Sequence, residues 1–187
     1  MPFAHPITMA NEQVAILGGG CFWCLEAVFD RLRGVKSVES GYTGGQIDNP
    51  TYRQVCDGDS GHVEVVRVTF DPSEITFKDL LEVFFEIHDP ATLNRQGNDV
   101  GEQYRSVIFY TSEEQKAQAG EVIRELNTGK KYPEPIVTSV EPAEKFYMAE
   151  AYHQEYYENN RTQPYCMFVV SPKVKKFEKV FGEKVRA

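Results

Sequence analysis

Short apolar runs closed by glycine or proline alternate along this chain with longer stretches of helical spacing. VAILGG (14–19) has the length and glycine stop of a buried strand. From Cys21 to Arg33, Phe22, Leu25, Phe29 and Leu32 recur at three- and four-residue intervals, predicting a helix that Gly34 ends. VKSVESGYTGG (35–45) reads as a strand entering a glycine-rich loop. GHVEVVRVTFDP (61–72) is the clearest strand, β-branched and stopped by Asp-Pro. Residues 76–87 place Phe77, Leu80, Leu81, Phe84 and Phe85 on one stripe of an amphipathic helix. HDPATLNRQGNDVGEQY (88–104) has no period, and a loop of that length usually carries function.

Beyond it, YRSVIFYTS (104–112) predicts a strand. Ser112 with Gln115 predicts a capping box opening a helix to about Asn127. PIVTSVEP (135–142) predicts another strand, AEAYHQEYYENN (149–160) a short helix and RTQPYC (161–166) a turn. Ser171-Pro172 opens a C-terminal helix. Strands and helices alternate, except that no helix is expected between the strands at 35–42 and 62–70. The fold class is therefore α+β: a two-layer α/β sandwich with a mixed sheet, rather than a doubly wound parallel one.

The 187 residues suit a single catalytic domain with a substantial core, residues 1–12 forming a loose tail. Twenty basic against 28 acidic residues leave a net charge of −8. That argues against nucleic-acid or anionic-membrane binding, which needs a basic face, and suggests a monomer. No apolar run reaches membrane-helix length, and the first dozen residues lack the charge and apolar core of a secretory signal. Four irregularly spaced cysteines are too few for a secreted disulfide scaffold. A reducing compartment, the cytoplasm, is expected, where cysteines are either inert or reactive.

Cys21 stands where a glycine-rich turn meets a helix start. Free backbone N–H groups and the helix dipole there are expected to lower a thiol pKa. The competing reading is a small buried residue at a tight corner. Cys24 completes a C-x-x-C pair. Phe22 fits the apolar stripe; Trp23 fits it less well and is either core or the wall of a small apolar pocket. Glu64 shares a strand face with His62, Val66, Val68 and Phe70, so partial desolvation should raise its pKa and suit it to delivering a proton. The plainer alternative is a strand-end glutamate reaching solvent. Tyr52, Tyr104 and Asp99 flank or occupy loops and say little alone. In YHQEYY, Tyr152 and Tyr156 share a face, as do His153 and Tyr157; packing is the preferred reading over a catalytic His153. Cys56 is read as structurally buried. Cys166 is read as lying in a mobile loop, from which it could reach another cysteine.

GCFWCLEAVF (20–29), GYTGG (41–45), YRQVCDGDSGHVEVV (52–66) and QGNDVGEQYRS (96–106), in this order, resemble peptide methionine sulfoxide reductase of the A type over roughly residues 14–170. The resemblance implies a two-layer sandwich with a ferredoxin-like core. It also implies a thiol enzyme, without metal or bound cofactor, that reduces the S epimer of methionine sulfoxide, free or in oxidised proteins. Cys21 matches the family nucleophile, Phe22 and Trp23 the pocket for the substrate methyl group, and Glu64 the acid that protonates the sulfoxide oxygen. Tyr52 and Tyr104 match hydroxyls that bind that oxygen, and Asp99 the acidic residue of the active-site loop. Cys166 matches the recycling cysteine that forms a disulfide reduced by thioredoxin or another dithiol. Cys24, which is not cysteine in many members, is an alternative resolving thiol.

Two other readings compete. A thioredoxin-like disulfide oxidoreductase would use Cys21 and Cys24, but leaves Glu64 and the long loop without a role. A zinc module using all four cysteines has poor spacing, with only one C-x-x-C pair.

Overall fold

The computed structural model describes residues 12–186; the expected tail lies outside them apart from Glu12. Six strands form one sheet in the order β7-β6-β1-β3-β2-β8: β1 (Gln13–Gly18), β2 (Val35–Thr43), β3 (Val63–Phe70), β6 (Val107–Tyr110), β7 (Ser139–Pro142) and β8 (Tyr147–Met148). All pairings are antiparallel except β6 with β7. Helix α1 (Phe22–Phe29) joins β1 to β2, and α3 (Phe77–Ile87) lies between β3 and β6. The central order β6-β1-β3-β2 with these two crossovers is the split βαβ, ferredoxin-like arrangement. The mixed-sheet α+β expectation holds.

Period-2 alternation decides what β3 contributes. Val66, Val68 and Phe70 face the helices with Ala15, Leu17 and Ile108; Val63 and Val65 join Ile16, Val107 and Phe109 in a small cluster on the other face. Glu64 therefore belongs to the helix-facing side of one of the two central strands. Helix α1 is not amphipathic. Every residue except Trp23 is buried, because the sheet, α5 (Tyr156–Asn159) and α6 (Ser171–Val180) surround it. It also ends earlier than expected: Asp30 caps it, and the chain turns tightly so that Leu32 can enter the core and bridge to Val185.

Several local expectations are refined. A five-residue helix, α2 (Tyr52–Cys56), occupies the β2–β3 connection, held by a full capping box from Thr51 and Gln54. Ser112 caps α4 (Glu113–Thr128) through the Gln115 N–H, but the Gln115 side chain binds Thr111 N–H and Val14 O instead of closing the box. It thereby ties α4 to β1. The long loop is not structureless: β4 (Arg95–Gln96) pairs with β5 (Asp99–Val100), and a 3₁₀ turn covers Glu102–Tyr104. The expected helix over 149–160 is broken. A 3₁₀ turn, Ala151–His153, is separated from α5 by Glu155 at φ +53°. Among the described residues, no helix is long and apolar enough to cross a membrane.

Candidate active site

The site is built where β1 runs into α1. Gly20 has φ +93°, and a Cβ there would meet Gln96 Cγ at 2.8 Å, so glycine is required both by the turn and by the close approach of the long loop. Gln96 holds that loop in place by accepting Asp89 N–H at 2.9 Å and donating back to Asp89 O. Beneath the turn, neutral His88 donates from Nδ1 to Phe84 O and accepts at Nε2 from Ser106 Oγ at 2.8 Å; burial holds its pKa down at about 3. The turn is thus backed by a desolvated, fully bonded layer.

Cys21 is the N-cap of α1 and is 8% exposed. The expectation of a lowered pKa is corrected. Burial, first, then the hydrogen bond with Cys24 and the charge of Glu64 push the Cys21 thiol well up. Magnitudes explain the sign. A helix terminus contributes about 1 kcal/mol, under one pKa unit, whereas full burial moves a group by up to ~3–5 units. The first free helix N–H is also diverted: Phe22 N–H donates to Glu64 Oε1 at 3.1 Å, and the lowering by the Trp23 N–H is the last of the causes acting on Cys21.

Glu64 is 1% exposed. Burial raises its pKa to about 8, so the carboxyl holds its proton at neutral pH. Oε1 takes the Phe22 N–H, while Oε2 has no hydrogen-bond partner in the protein. Oε2 is thus a buried oxygen without a partner, on a carboxyl whose charge reaches Cys21. Tyr52 and Tyr104 are half-buried at the same point; burial, then the charge of Glu64, raises both phenols above their usual range and keeps them donors.

Trp23 is partly buried against the core, where it joins other rings in an aromatic wall. Its indole stacks on Tyr156 (centroids 3.7 Å, 8°) and meets Tyr165 edge-on (5.6 Å, 80°). Its Nε1–H donates to His153 Nδ1 at 3.0 Å. His153 therefore carries its proton on Nε2, which is buried and unpartnered, and its ring lies 5.1 Å from Phe22 and 4.5 Å from Tyr52. Tyr165 O–H donates to Asp99 Oδ2 at 2.5 Å, which connects the long loop to this wall. Sequence reasoning missed Tyr165 and grouped Tyr156 with Tyr152, which is instead exposed; His153 is buried, as its packing reading expects. Only the break at Glu155 brings Tyr156 round to Trp23, and a uniform helical reading of 149–160 hides it.

The cysteines are rearranged relative to expectation. Cys166 lies in no mobile loop. Helical structure begins at Pro164, Cys166–Val170 forms a π-helical segment continuous with α6, and the thiol is fully buried, its pKa raised by that burial. Gln163 side-chain bonding to Cys166 N–H and the packing of Val170 against the core stabilise this over a turn. Cys24 lies at the third helical position, one turn from Cys21. The Cys21 hydrogen bond chiefly, with help from Lys173 and Tyr165, lowers the Cys24 pKa. Cys56 is exposed rather than buried, because α2 is anchored to the core through Val55 and Tyr52; its thiol lies by Tyr52 and Gln103. The four sulfurs do not form a tetrahedral donor set, and no group of three or more His, Cys, Asp or Glu among the described residues suits a metal ion.

Comparison with known proteins bears on this geometry. The family model for peptide methionine sulfoxide reductase matches residues 13–185. A peptide methionine sulfoxide reductase MsrA from Deinococcus radiodurans is 57% identical over 177 residues, covering 95% of this chain and 86% of that protein. The reduced form of Mxr1 from Saccharomyces cerevisiae superimposes with a TM-score of 0.76 at 35% identity, over 82% of this chain and 88% of that one. Mxr1 in complex with Trx2 gives 0.54 at 26% identity, over 79% and 86%.

Proposed function

The chain belongs to the peptide methionine sulfoxide reductase family, and from that premise we propose that Cys21 and Glu64 reduce methionine S-sulfoxide, free or within proteins, to methionine. The observation that carries the assignment is the protonated, buried Glu64 with its unpartnered Oε2 next to a nucleophile at a helix start. Sulfoxide sulfur is electrophilic, but its oxygen leaves only if its charge is neutralised. Glu64 Oε2–H donates to that oxygen, and the Tyr52 and Tyr104 hydroxyls bind it. Phe22 and Trp23 enclose the methyl group, and Asp99 acts through Tyr165 to hold the Trp23 wall.

The Cys21 sulfur attacks the substrate sulfur. Attack forms an S–S bond between Cys21 and the substrate, and the substrate S–O bond breaks as Glu64 protonates the oxygen. The oxygen passes as hydroxyl to the Cys21 sulfur, the S–S bond breaks to release the thioether, and the thiol proton returns to Glu64. Methionine leaves with Cys21 as a sulfenic acid. The raised Cys21 pKa fits this order of events, because the thiol gives up its proton only as Glu64 spends its own. A second thiol then expels water to make a disulfide, which an external dithiol of the thioredoxin type reduces.

The family resemblance gives the second thiol as Cys166. Cys24 stands one helical turn from Cys21, which favours it for the first disulfide, since Cys166 must leave a helix and a buried site to reach Cys21. Cys166 then serves a later exchange with Cys24. A disulfide-oxidoreductase reading gives the Glu64 acid and the aromatic wall no work. Assaying S- and R-sulfoxides separately tests the function: turnover of the S epimer alone, abolished in Cys21→Ser, is expected, and S-sulfoxide turnover by that variant refutes it. Disulfide mapping after one equivalent of sulfoxide separates the recycling thiols. A Cys21–Cys24 bond in Cys166→Ser is expected, and its absence returns the first step to Cys166.

A further inference from the structure

Glu26 is a second buried carboxyl, 3% exposed, on α1 two residues beyond Cys24. It does not touch the reacting groups. Its Oε1 accepts the Glu155 N–H at 2.8 Å and the Ser40 hydroxyl at 3.3 Å. Burial, with the charges of Asp30 and Glu155, raises its pKa to about 7, against the hydrogen bonds from Glu155 and Ser40. Either charge state offers an acceptor oxygen, so the tie persists across neutral pH.

What this tie holds is specific. Glu155 is at φ +53°, a left-handed conformation that a glutamate adopts only when its surroundings impose it. The residue immediately before it, Gln154, is clamped to the edge of β2: its Oε1 accepts Ser40 N–H at 2.9 Å and its Nε2 donates to Ser40 O at 2.9 Å. Ser40 thus gives its backbone to Gln154 and its hydroxyl to Glu26. The left-handed turn is fixed from both sides, by the sheet through Gln154 and by α1 through Glu26. The two short turns that flank it carry His153 and Tyr156, which bond and stack on Trp23.

We infer that Glu26 is a positioning residue for substrate recognition: by fixing the Glu155 turn it sets His153 and Tyr156 so that they hold the Trp23 indole as the wall of the methyl pocket. The inference rests on the assignment of Trp23 to that pocket. It concerns binding of the methyl sulfoxide rather than the chemical step.

Trp23 is the only tryptophan of the chain, so its emission reports the wall directly. Glu26→Met keeps the volume and removes the acceptor; Glu26→Gln keeps an acceptor oxygen. Glu26→Met should shift and rescale Trp23 emission and raise KM for a methyl sulfoxide about tenfold, a change typical of one lost binding contact. The single-turnover rate at saturation should stay within about twofold, as expected when binding is lost without loss of transition-state stabilisation. Glu26→Gln should restore both emission and KM. Glu155→Gly in the Glu26→Met background, where glycine takes the left-handed turn unaided, should return KM toward wild type. Wild-type emission and KM in Glu26→Met, or a Glu26→Gln protein as impaired as Glu26→Met, overturns the inference. Should Glu26→Met not fold, hydrogen exchange at the Glu155 amide of the wild-type protein decides: core-like protection is expected, and exchange at the rate of an open amide refutes the tie. Emission and exchange need no turnover, so they stand apart from any failure of the reductase assignment, which would appear as wild-type protein that leaves S-sulfoxide untouched.

Discussion

Glu64 at the head of β3 and Glu26 on the flank of α1 are both buried carboxyls, and burial raises both, to about 8 and about 7. They differ in what their oxygens do. Glu26 Oε1 is committed to a backbone N–H and a hydroxyl from two other elements. Glu64 spends one oxygen on Phe22 N–H and leaves the other buried and unpartnered. A perturbed pKa therefore does not by itself mark an acid catalyst. The unpartnered oxygen does: burying a polar group without a partner is costly, and the cost is sustained where a ligand supplies the partner.

The comparison can be broken most severely at Glu64. Glu64→Ala removes the proton and the hydrogen bond together and should slow single-turnover reduction about 10²–10³-fold, the usual loss for one donor to a developing oxyanion. Glu64→Gln retains a donor amide and should keep more activity than Glu64→Ala. If the two variants are equal, a hydrogen-bond donor at this position does not assist the reaction.

A second contrast lies in pH. Glu64 in the folded protein binds its proton more tightly than an unfolded glutamate does, so between about pH 4.5 and 8 the folded state carries more protons than the unfolded one. This term is constant below pH 4.5 and costs progressively more stability as pH rises to 8. Denaturant unfolding of Glu64→Gln across this window should show a shallower decline than wild type. A parallel decline in both would mean that Glu64 is not held protonated.

Smaller effects should come from the hydroxyls. Tyr52→Phe and Tyr104→Phe each remove one neutral donor and should lower kcat/KM about tenfold, the worth of a typical hydrogen bond, with a larger combined loss. Stopped-flow single turnover measures this, and a wild-type rate in the double variant would remove both tyrosines from the site. By contrast, Glu26→Met should move KM with little change in the chemical step, which is the sharpest functional separation of the two carboxyls.

Much of this was legible because it is local. Period-2 alternation put Glu64 on the apolar side of β3, and the glycine turn put Cys21 at a helix start. Helical spacing located α1 and α3. What escaped depends on contacts between distant segments. Whether Cys21 is raised or lowered depends on how much of the protein covers it and on Glu64 taking the helix N–H, 42 residues away. Cys166 looked like part of a turn because Pro164 and the polar run before it suggest one, yet the segment continues as helix packed on the core. Nothing local announces the reversal at Glu155, which is stabilised by a carboxyl 129 residues earlier. The wall around Trp23 was hidden for the same reason.

The central claim is that protonated Glu64 delivers the proton that makes the sulfoxide oxygen leave. The most direct measurement is the pH dependence of the first single turnover on S-sulfoxide, read as methionine formed before any recycling, in wild type and Glu64→Gln. The wild-type rate should fall above a pKa near 8, and the variant should be slower and lack that limb. A Glu64→Gln protein with the wild-type rate and the same pH limb would contradict the assignment.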